Sequence, residues 1–210
     1  MPGAEADAVP SLRVGALILA AGSSTRMGAK ANKLLQTVEG KPLLAWPVDA
    51  MIDAGASPVS LVLGHEAESV RSALGERGLE WIDSETWEQG MGASIGEGVR
   101  ELTNRFDLDG LLICVGDLPG LRGAHVRRVV DTFQRRESRE AIIVPAYEGR
   151  RGHPVLFGAE HFGSLAELQG EAGARSVIEV NVDRVVEVAL TESAIVRDVD
   201  TPEDLATWRG

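Results

Sequence analysis

The sequence has few of the features that build disulfide frameworks or membrane spans. Its 210 residues include one cysteine, Cys114. A lone cysteine cannot form a disulfide within the chain, and this predicts a reducing, cytoplasmic setting. No run of about 18 apolar residues occurs, so the sequence predicts no membrane-spanning helix. These absences exclude a disulfide-stapled secreted scaffold and a helical membrane protein.

Positive charge is also scarce. The chain carries 21 Lys and Arg against 32 Asp and Glu, a formal net charge of −11. A negative overall field disfavours nucleic acid as a partner, because phosphate contacts dominate that affinity. It does not exclude a free nucleotide, whose few phosphates can be met locally by Arg26, Lys33 and a divalent cation.

The start of the chain lacks the pattern of a targeting segment. Residues 1–12 contain Glu5 and Asp7 and no apolar core, so we do not expect a secretory signal. We expect residues 1–12 to form a disordered leader. We expect residues 13–210 to form a single domain, because no linker, internal repeat or low-complexity tract interrupts them.

One stretch stands out against these absences. From Val14 to Gly28 the chain reads V-G-A-L-I-L-A-A-G-S-S-T-R-M-G. Its first eight residues are nearly all apolar and too few for a free-standing helix, which predicts a central strand of a parallel sheet. The side chains then shrink from Ala20 to Ser24, so backbone N–H groups can approach an anion, and Arg26 adds a positive charge. The stretch predicts a strand that ends in a phosphate-binding loop.

Two common phosphate-binding motifs do not fit this stretch. A P-loop needs G-x-x-x-x-G-K-[ST], whereas five residues separate Gly22 from Gly28 and Ala29 follows. The dinucleotide fingerprint needs glycines at the positions of Ala20 and Ser24. The remaining alternative is a plain surface turn. Arg26 and the nearby Lys33 favour phosphate binding over that alternative.

Apolar strands and amphipathic helices alternate along the rest of the chain, which predicts an α/β fold with a doubly wound sheet. The carboxyl ends of such strands meet at one crevice, where ligands bind. We predict further strands over residues 58–63, 79–83, 111–115, 142–146, 154–157, 185–188 and 194–199. We predict helices over about 46–54, 66–74, 94–102 and 174–180, and one that begins near residue 122.

Four motifs resemble one family of nucleotidyltransferases, and they occur in that family's order. They are L-A-A-G-S-S-T-R-M-G with the following Lys33-Leu34-Leu35, then G-D-L-P at 116–119, G-R-R-G-H-P at 149–154 and D-V-D-T-P-E-D at 198–204. The chain resembles the molybdenum-cofactor cytidylyltransferase and guanylyltransferase branch over roughly residues 12–208. The first motif is shared by many nucleotidyltransferases, whereas the last two are more particular to this branch.

The resemblance implies a three-layer Rossmann-like nucleotidyltransferase fold, with a mostly parallel central sheet and helices on both faces. It implies transfer of CMP or GMP from an NTP to the phosphate of the molybdopterin cofactor, with release of pyrophosphate. CTP is the favoured nucleotide and GTP the alternative. A molybdenum hydroxylase is the expected recipient of the product.

The nucleotide-binding residues implied by the resemblance lie in two glycine-rich loops. By its residues alone, the second loop, 88–94, is better explained as a helix N-terminus capped by Ser94, but in similar enzymes it holds the base. Lys33 is preferred to Lys30 for phosphate contact because two leucines follow it as in the family. The implied set is Ala20, Ala21, Gly22, Ser23, Ser24, Arg26, Met27, Gly28, Lys33, Gly90 and Ser94.

The acceptor site is implied to lie around the G-R-R-G-H-P loop. Two arginines between glycines are usually a solvated turn, but this loop should open at an edge of the crevice. Arg175 follows in a region that borders the pterin in the family, and it is available for a phosphate. The implied acceptor-binding residues are Arg151, Gly152, His153, Pro154 and Arg175.

Three aspartates are candidates for a metal site. Asp117 follows the most apolar strand, where a carboxylate points into the crevice, and the next helix is predicted to begin too late for Asp117 to be its cap. In similar enzymes the positions of Asp198 and Asp200 help Asp117 to hold the metal. Three carboxylates in one crevice need a cation to neutralise them, which predicts Mg²⁺. Arg26, Lys33 and Asp117 are then the expected catalytic residues.

Two other functions remain open from the sequence. One is guanylyl or cytidylyl transfer to another phosphorylated small molecule. The other is a non-catalytic carrier that binds the molybdenum cofactor and delivers it to an oxidoreductase. A carrier has no need of a metal-bridged triphosphate site, so the presence of Arg26, Lys33 and Asp117 favours an enzyme.

Overall fold

Residues 12–22 and 32–208 are described by the computed structural model of the protein. Several predictions fall on the other residues and so lie outside the described part of the chain. They concern the leader and, in the phosphate-binding loop, Ser23, Ser24, Arg26, Met27, Gly28 and Lys30.

A large, mostly parallel sheet forms the centre of the described chain, with a small hairpin beside it. The strands are β1 (Val14–Ala20), β2 (Thr37–Val38), β3 (Lys41–Pro42), β4 (Val59–Leu63), β5 (Glu80–Asp83), β6 (Gly110–Val115), β7 (Ile142–Tyr147), β8 (Arg150–Arg151), β9 (Val155–Gly158) and β10 (Val185–Ala189). The sheet order is β10-β7-β9-β6-β1-β4-β5, β8 pairs with β7, and β2 and β3 form the hairpin. Only β8 and β9 run antiparallel to their neighbours in the large sheet.

Helices cover both faces of this sheet. They are α1 (Ala45–Asp53), α2 (Ala67–Leu74), α3 (Met91–Arg105), α4 (Gly123–Arg136), α5 (Phe162–Ala166), α6 (Arg175–Val180) and α7 (Pro202–Ala206). Helices α1, α2 and α4 pack on one face, and α3, α5 and α6 pack on the other. The structure confirms the predicted three-layer α/β architecture.

The central strands read as continuous apolar runs because both of their faces are buried. In β1, Ile18 packs on the side of α1 and α4, whereas its neighbour Leu17 packs on the side of α3. In β6, Cys114 packs on the side of α1 and α4, and Ile113 packs on the side of α3. Successive side chains of a strand point to opposite faces, so a strand covered on both sides has no polar face.

One predicted strand is wrong. Residues 194–199 do not form a strand; a 3₁₀ turn spans Ser193–Ile195, and irregular chain follows it. The backbone groups of this segment bond to loops rather than to a neighbouring strand. His153 N donates to Ile195 O at 2.9 Å, and Val199 N donates to Asp117 O at 3.1 Å. The segment therefore holds the loops at the carboxyl ends of the strands.

The start of α3 also differs from the prediction. The helix begins at Met91 with Gly90 as its N-cap, so Ser94 lies within the helix and is not the cap. The Ser94 hydroxyl is directed to Gly90 O at 3.5 Å. The N–H of Gly92 donates to Gly170 O at 2.8 Å, so a distant loop satisfies the first turn in place of a side-chain cap.

No helix of the described residues has both the length and the apolar composition needed to cross a bilayer.

Candidate active site

Three distant parts of the chain bring Lys33, Asp117 and Asp200 together at the carboxyl edge of the sheet. Lys33 begins a 3₁₀ turn whose N-cap, Asn32, accepts a hydrogen bond from Leu34 N. Asp117 follows Gly116 at the end of β6. A Cβ at Gly116 would lie 3.0 Å from Leu19 O, so glycine lets β6 end close against β1. Asp200 directly precedes α7.

The ammonium group of Lys33 is the centre of this cluster. Its Nζ lies 2.6 Å from Asp117 Oδ2, 3.0 Å from Asp200 Oδ1 and 2.9 Å from the carbonyl oxygen of Val199. Asp198 is exposed nearby, and its charge acts on Asp117. The structure thus brings together Lys33, Asp117 and Asp200 and places Asp198 beside them.

Burial acts strongly on the pKa values of Lys33 and Asp117. The side chains of Lys33 and Asp117 are only 16% and 14% exposed. Burial lowers the pKa of Lys33, but Asp117 and Asp200 outweigh it and leave that pKa raised. Burial raises the pKa of Asp117 above its usual range, and Lys33 offsets only part of the effect. A carboxylate in this position needs a cation next to it.

The carboxylates fit a divalent cation that is shared with phosphate oxygens. Asp117 Oδ1 is buried, and none of the described residues donates a hydrogen bond to it. Within the described chain no three acidic, histidine or cysteine side chains form a ready metal cage. Mg²⁺ commonly takes only one or two carboxylates and completes its shell with water and substrate phosphates. Asp117, with Asp200 and Asp198 at hand, suits that mode of binding.

The described part of the predicted phosphate-binding loop lies next to this cluster. Ala20 and Ala21 are buried, and Gly22 is exposed. A Cβ built on Gly22 meets no atom of the described residues within 4 Å, so the space around it is open. Ala21 O accepts a hydrogen bond from His65 N at 3.2 Å, which ties the end of β1 to the end of β4.

The second glycine-rich loop is anchored by a side chain that sequence reasoning missed. The carboxylate of Glu97, on α3, accepts hydrogen bonds from Ser84 Oγ at 2.5 Å, Glu85 N at 3.1 Å and Thr86 Oγ1 at 2.8 Å. These residues lead into the 3₁₀ turn Trp87–Gln89 and then into Gly90. A glutamate on a helix surface carries no sequence signal that would distinguish it from a solvated one.

A cavity of about 530 Å³ opens between the sheet, α3 and α6. Arg151, Gly152, His153 and Arg175, four of the five residues predicted to bind an acceptor, line this cavity. Pro154 follows His153 through a cis peptide bond and does not line the cavity. The rest of the wall is mainly apolar, with Leu19, Met91, Ile95, Ile113, Val115, Val144, Val155, Phe157 and Ile178.

The polar groups of the cavity are already engaged within the protein. Arg151 Nε lies 2.8 Å from Glu187 Oε1, and Arg175 Nε lies 2.7 Å from Glu179 Oε1. The i, i+4 spacing of Arg175 and Glu179 is visible in the sequence, whereas the pairing of Arg151 with Glu187 is not. Both pairs are solvent-exposed, and such pairs contribute only about 0–1 kcal/mol. An incoming anion can therefore displace the glutamates.

His153 forms the inner end of this loop. Burial lowers the pKa of His153, so its ring is neutral near pH 7. Its Nδ1 lies 3.5 Å from Ile113 O, and the charges of Asp117 and Asp198 also act on it. The ring therefore lies between the cavity and the aspartate cluster.

Comparisons with known proteins agree with this geometry. A family model described as "MobA-like NTP transferase domain" matches residues 16–187. Bifunctional protein GlmU of Pelobacter propionicus is 32% identical over 140 residues, which cover 67% of this chain and 30% of that protein. The chain spans about a third of the length of these curated relatives.

Solved structures resemble the chain over nearly its whole length. The crystal structure of Rv0371c from Mycobacterium tuberculosis H37Rv has a TM-score of 0.81 at 29% identity, and the match covers 95% of this chain and 98% of that one. A crystal structure of Rv0371c in complex with manganese has a TM-score of 0.75 at 26% identity, covering 94% and 98%. From the extent of the family match, the chain belongs to the family of MobA-like NTP transferase domains.

Proposed function

We propose that this protein transfers CMP, or alternatively GMP, from an NTP to the phosphate of the molybdopterin molybdenum cofactor and releases pyrophosphate. The observation that carries the proposal is the Lys33–Asp117–Asp200 cluster, which lies where β6 ends beside its neighbour β1 and whose Asp117 acts on His153 of the cavity wall. A nucleotide bound at the loop that contains Gly22 and a phosphorylated acceptor bound in the cavity would meet at this cluster.

The reaction needs positioning and charge more than acid–base chemistry. An oxygen of the acceptor phosphate forms a bond to the α-phosphorus of the NTP, and the bond from that phosphorus to the bridging oxygen of pyrophosphate breaks. The attacking phosphate is largely ionised near neutral pH, since its second pKa is about 6, so no general base is required. This agrees with a site built of cations and carboxylates.

We assign roles to the residues from the family resemblance and from the positions of the described residues. Ala20 to Gly22 bring backbone close to the phosphates, and Lys33 and Arg26 stabilise the charge that develops on the α-phosphate and on pyrophosphate. Asp117, Asp198 and Asp200 would hold Mg²⁺, which would supply positive charge that neutralises the phosphates. Gly90 and Ser94 border the base. Arg151 and Arg175 bind the acceptor phosphate, and Gly152, His153 and Pro154 shape the wall around it.

A divalent metal in this site has support from a relative, since Rv0371c was crystallised with manganese. The apolar walls of the cavity favour an acceptor whose body is a ring system, with its phosphate near the arginines at the rim.

The direct test is to incubate the purified protein with Mg²⁺, each of the four NTPs in turn and the molybdenum cofactor, and to measure pyrophosphate and the nucleotide–cofactor product. We expect product with CTP or GTP, and none from the Asp117→Asn variant. Pyrophosphate released with another phosphorylated acceptor, and not with the cofactor, would favour the alternative transferase. Tight binding of the cofactor without pyrophosphate from any NTP would favour the carrier.

A further inference from the structure

The ammonium group of Lys33 lies where a cation is needed. Two carboxylate oxygens and one carbonyl oxygen surround it at 2.6–3.0 Å, and the Lys33 side chain is 16% exposed. Without this charge, Asp117 would be buried beside Asp200 and close to the charge of Asp198. The lysine therefore supplies at these carboxylates the positive charge that a bound metal would supply.

Lys33 has a second set of partners in the proposed reaction, the phosphates of the NTP. Its ammonium group has three N–H donors and already faces three oxygen acceptors, so a phosphate oxygen would have to displace one of them. A metal ion that reached Asp117 and Asp200 with Lys33 still in place would put two cations against the same two carboxylates. A metal ion and the Lys33 ammonium group therefore repel each other when both lie at these carboxylates.

We propose that Lys33 keeps the metal site closed in the nucleotide-free protein, and that the phosphates of the NTP open it by drawing the ammonium group away from Asp117 and Asp200. This inference rests on the proposed function, because it takes these two aspartates as the metal ligands. Metal and nucleotide then bind cooperatively. Once the metal or the nucleotide has bound, the other no longer has to supply all of the free energy needed to move the lysine. The coupling between them is therefore reciprocal.

The test is the affinity of the nucleotide-free protein for Mn²⁺, measured from the electron paramagnetic resonance signal of the unbound ion. We expect Lys33→Met to bind Mn²⁺ at least about tenfold more tightly than the unchanged protein, which corresponds to ~1.4 kcal/mol. A non-hydrolysable CTP analogue should tighten Mn²⁺ binding in the unchanged protein and have a smaller effect in Lys33→Met.

Two controls locate the effect. Lys41→Met removes the same charge from a lysine that pairs with Asp49 instead, and we expect it to leave Mn²⁺ affinity unchanged. Adding Asp117→Asn to Lys33→Met should abolish the gained affinity. If Lys33→Met does not fold, as judged by circular dichroism, Lys33→Gln takes its place.

The outcomes separate this inference from the proposed function. Equal Mn²⁺ affinities for the unchanged protein and Lys33→Met would overturn the inference, even if pyrophosphate release confirms the transferase. Tighter binding that depends on Asp117 would support it, even if no NTP is consumed. Tighter binding that survives Asp117→Asn would place the metal elsewhere and would overturn it as well.

Discussion

At the scale of single residues, paired charges decide what the cavity can bind. Arg151 and its neighbour Arg150 carry the same side chain and lie in the same strand, β8. Because successive residues of a strand point to opposite sides, the two side chains face different surroundings. Only Arg151 lines the cavity, where it pairs with Glu187. Exposed pairs of this kind exchange partners at little cost. The two arginines therefore form a matched pair for a test of the acceptor site.

We expect Arg151→Ala to raise KM for the acceptor by roughly tenfold, the loss of one charge-assisted hydrogen bond, while KM for the NTP stays unchanged. Arg150→Ala should change neither. Steady-state kinetics with each substrate varied in turn provides the measurement. A rise in KM for the NTP in Arg151→Ala would mean that this loop serves the nucleotide side of the crevice.

Glu97 shows how one carboxylate can hold a loop. Burial raises the pKa of Glu97, but the hydrogen bonds from Ser84, Glu85 and Thr86 outweigh burial, and the pKa is lowered overall. A carboxylate with a lowered pKa in the folded protein contributes stability above the ordinary glutamate pKa of about 4.3, and loses it as the pH falls through the lowered value.

Glu97→Gln should therefore lower the free energy of unfolding near pH 7 by about 1 kcal/mol, because an amide accepts fewer of these hydrogen bonds and the site is partly screened by solvent. The difference from the unchanged protein should shrink as the pH is lowered from 6 to 3. Urea unfolding at a series of pH values measures it. A difference that stays constant over this range would show that the charge of Glu97 is not what holds the loop.

At the scale of elements, the amino-terminal half of α3 depends on small residues. A Cβ on Gly92 would lie 2.3 Å from Ala172 O, and one on Gly96 would lie 2.7 Å from Leu168 O. The backbone of the segment 166–172 therefore lies directly against the helix. This segment leads to Gly173 and Arg175 in the wall of the cavity. The packing of α3 thus positions one side of the acceptor site.

We expect Gly92→Ala to lower the free energy of unfolding by about 1–3 kcal/mol, because the backbone that the new methyl group meets must shift. The matched control is Gly163→Ala in α5, where a Cβ meets nothing within 4 Å among the described residues. That substitution should stabilise the protein by up to about 1 kcal/mol through helix propensity. Urea denaturation of both variants measures the two changes in the free energy of unfolding. Equal changes would contradict the close packing of α3.

The elements show where sequence reasoning succeeds and where it stops. The apolar runs of β1 and β6 predict buried strands, because burial on both faces leaves a pattern that each strand carries by itself. The segment 194–199 also has four apolar residues of six, yet its backbone bonds to His153 and Asp117, far away in sequence. Ser94 is not a cap because the helix begins three residues earlier, at Met91, where Gly170 O from another loop accepts from Gly92 N.

The same limit applies to the site. Lys33, Asp117 and Asp200 could be chosen from the sequence because their motifs resemble those of a family, and the structure brings them within hydrogen-bonding distance. Glu97 and the carbonyl of Val199 could not, because their roles depend on tertiary contacts that leave no local pattern. The ammonium group of Lys33 lies against the carboxylates that are predicted to hold the metal ion. This position is likewise visible only in three dimensions.

At the scale of the whole molecule, the site depends on a small cluster apart from the two main cores. Val38, Leu43, Val199 and Leu205 form this cluster, with two tryptophans, Trp46 and Trp208, packed against it. It joins the β2–β3 hairpin to α7 and lies beneath the segment that carries Asp198 and Asp200. A small cluster at the edge of a protein can open locally at lower cost than the central core.

Leu205→Ala should therefore affect the site more than the fold. The Leu205 side chain is 4% exposed, and its truncation should remove about 2–3 kcal/mol from the local cluster. We expect faster hydrogen exchange at Val199 N, which bonds to Asp117 O, and weaker NTP binding, with only a small change in the main thermal transition. Exchange measured by NMR and binding measured by calorimetry report the two effects separately.

Leu102→Ala provides the matched comparison, because Leu102 is fully buried in the core between α3 and the sheet. The same truncation there should lower the main thermal transition and leave the exchange at Val199 N nearly unchanged at temperatures well below it. If Leu205→Ala instead lowers the main transition as much as Leu102→Ala does, the cluster unfolds together with the core. The aspartate segment would then be as rigid as the central sheet, and local opening could not contribute to the binding of metal or nucleotide.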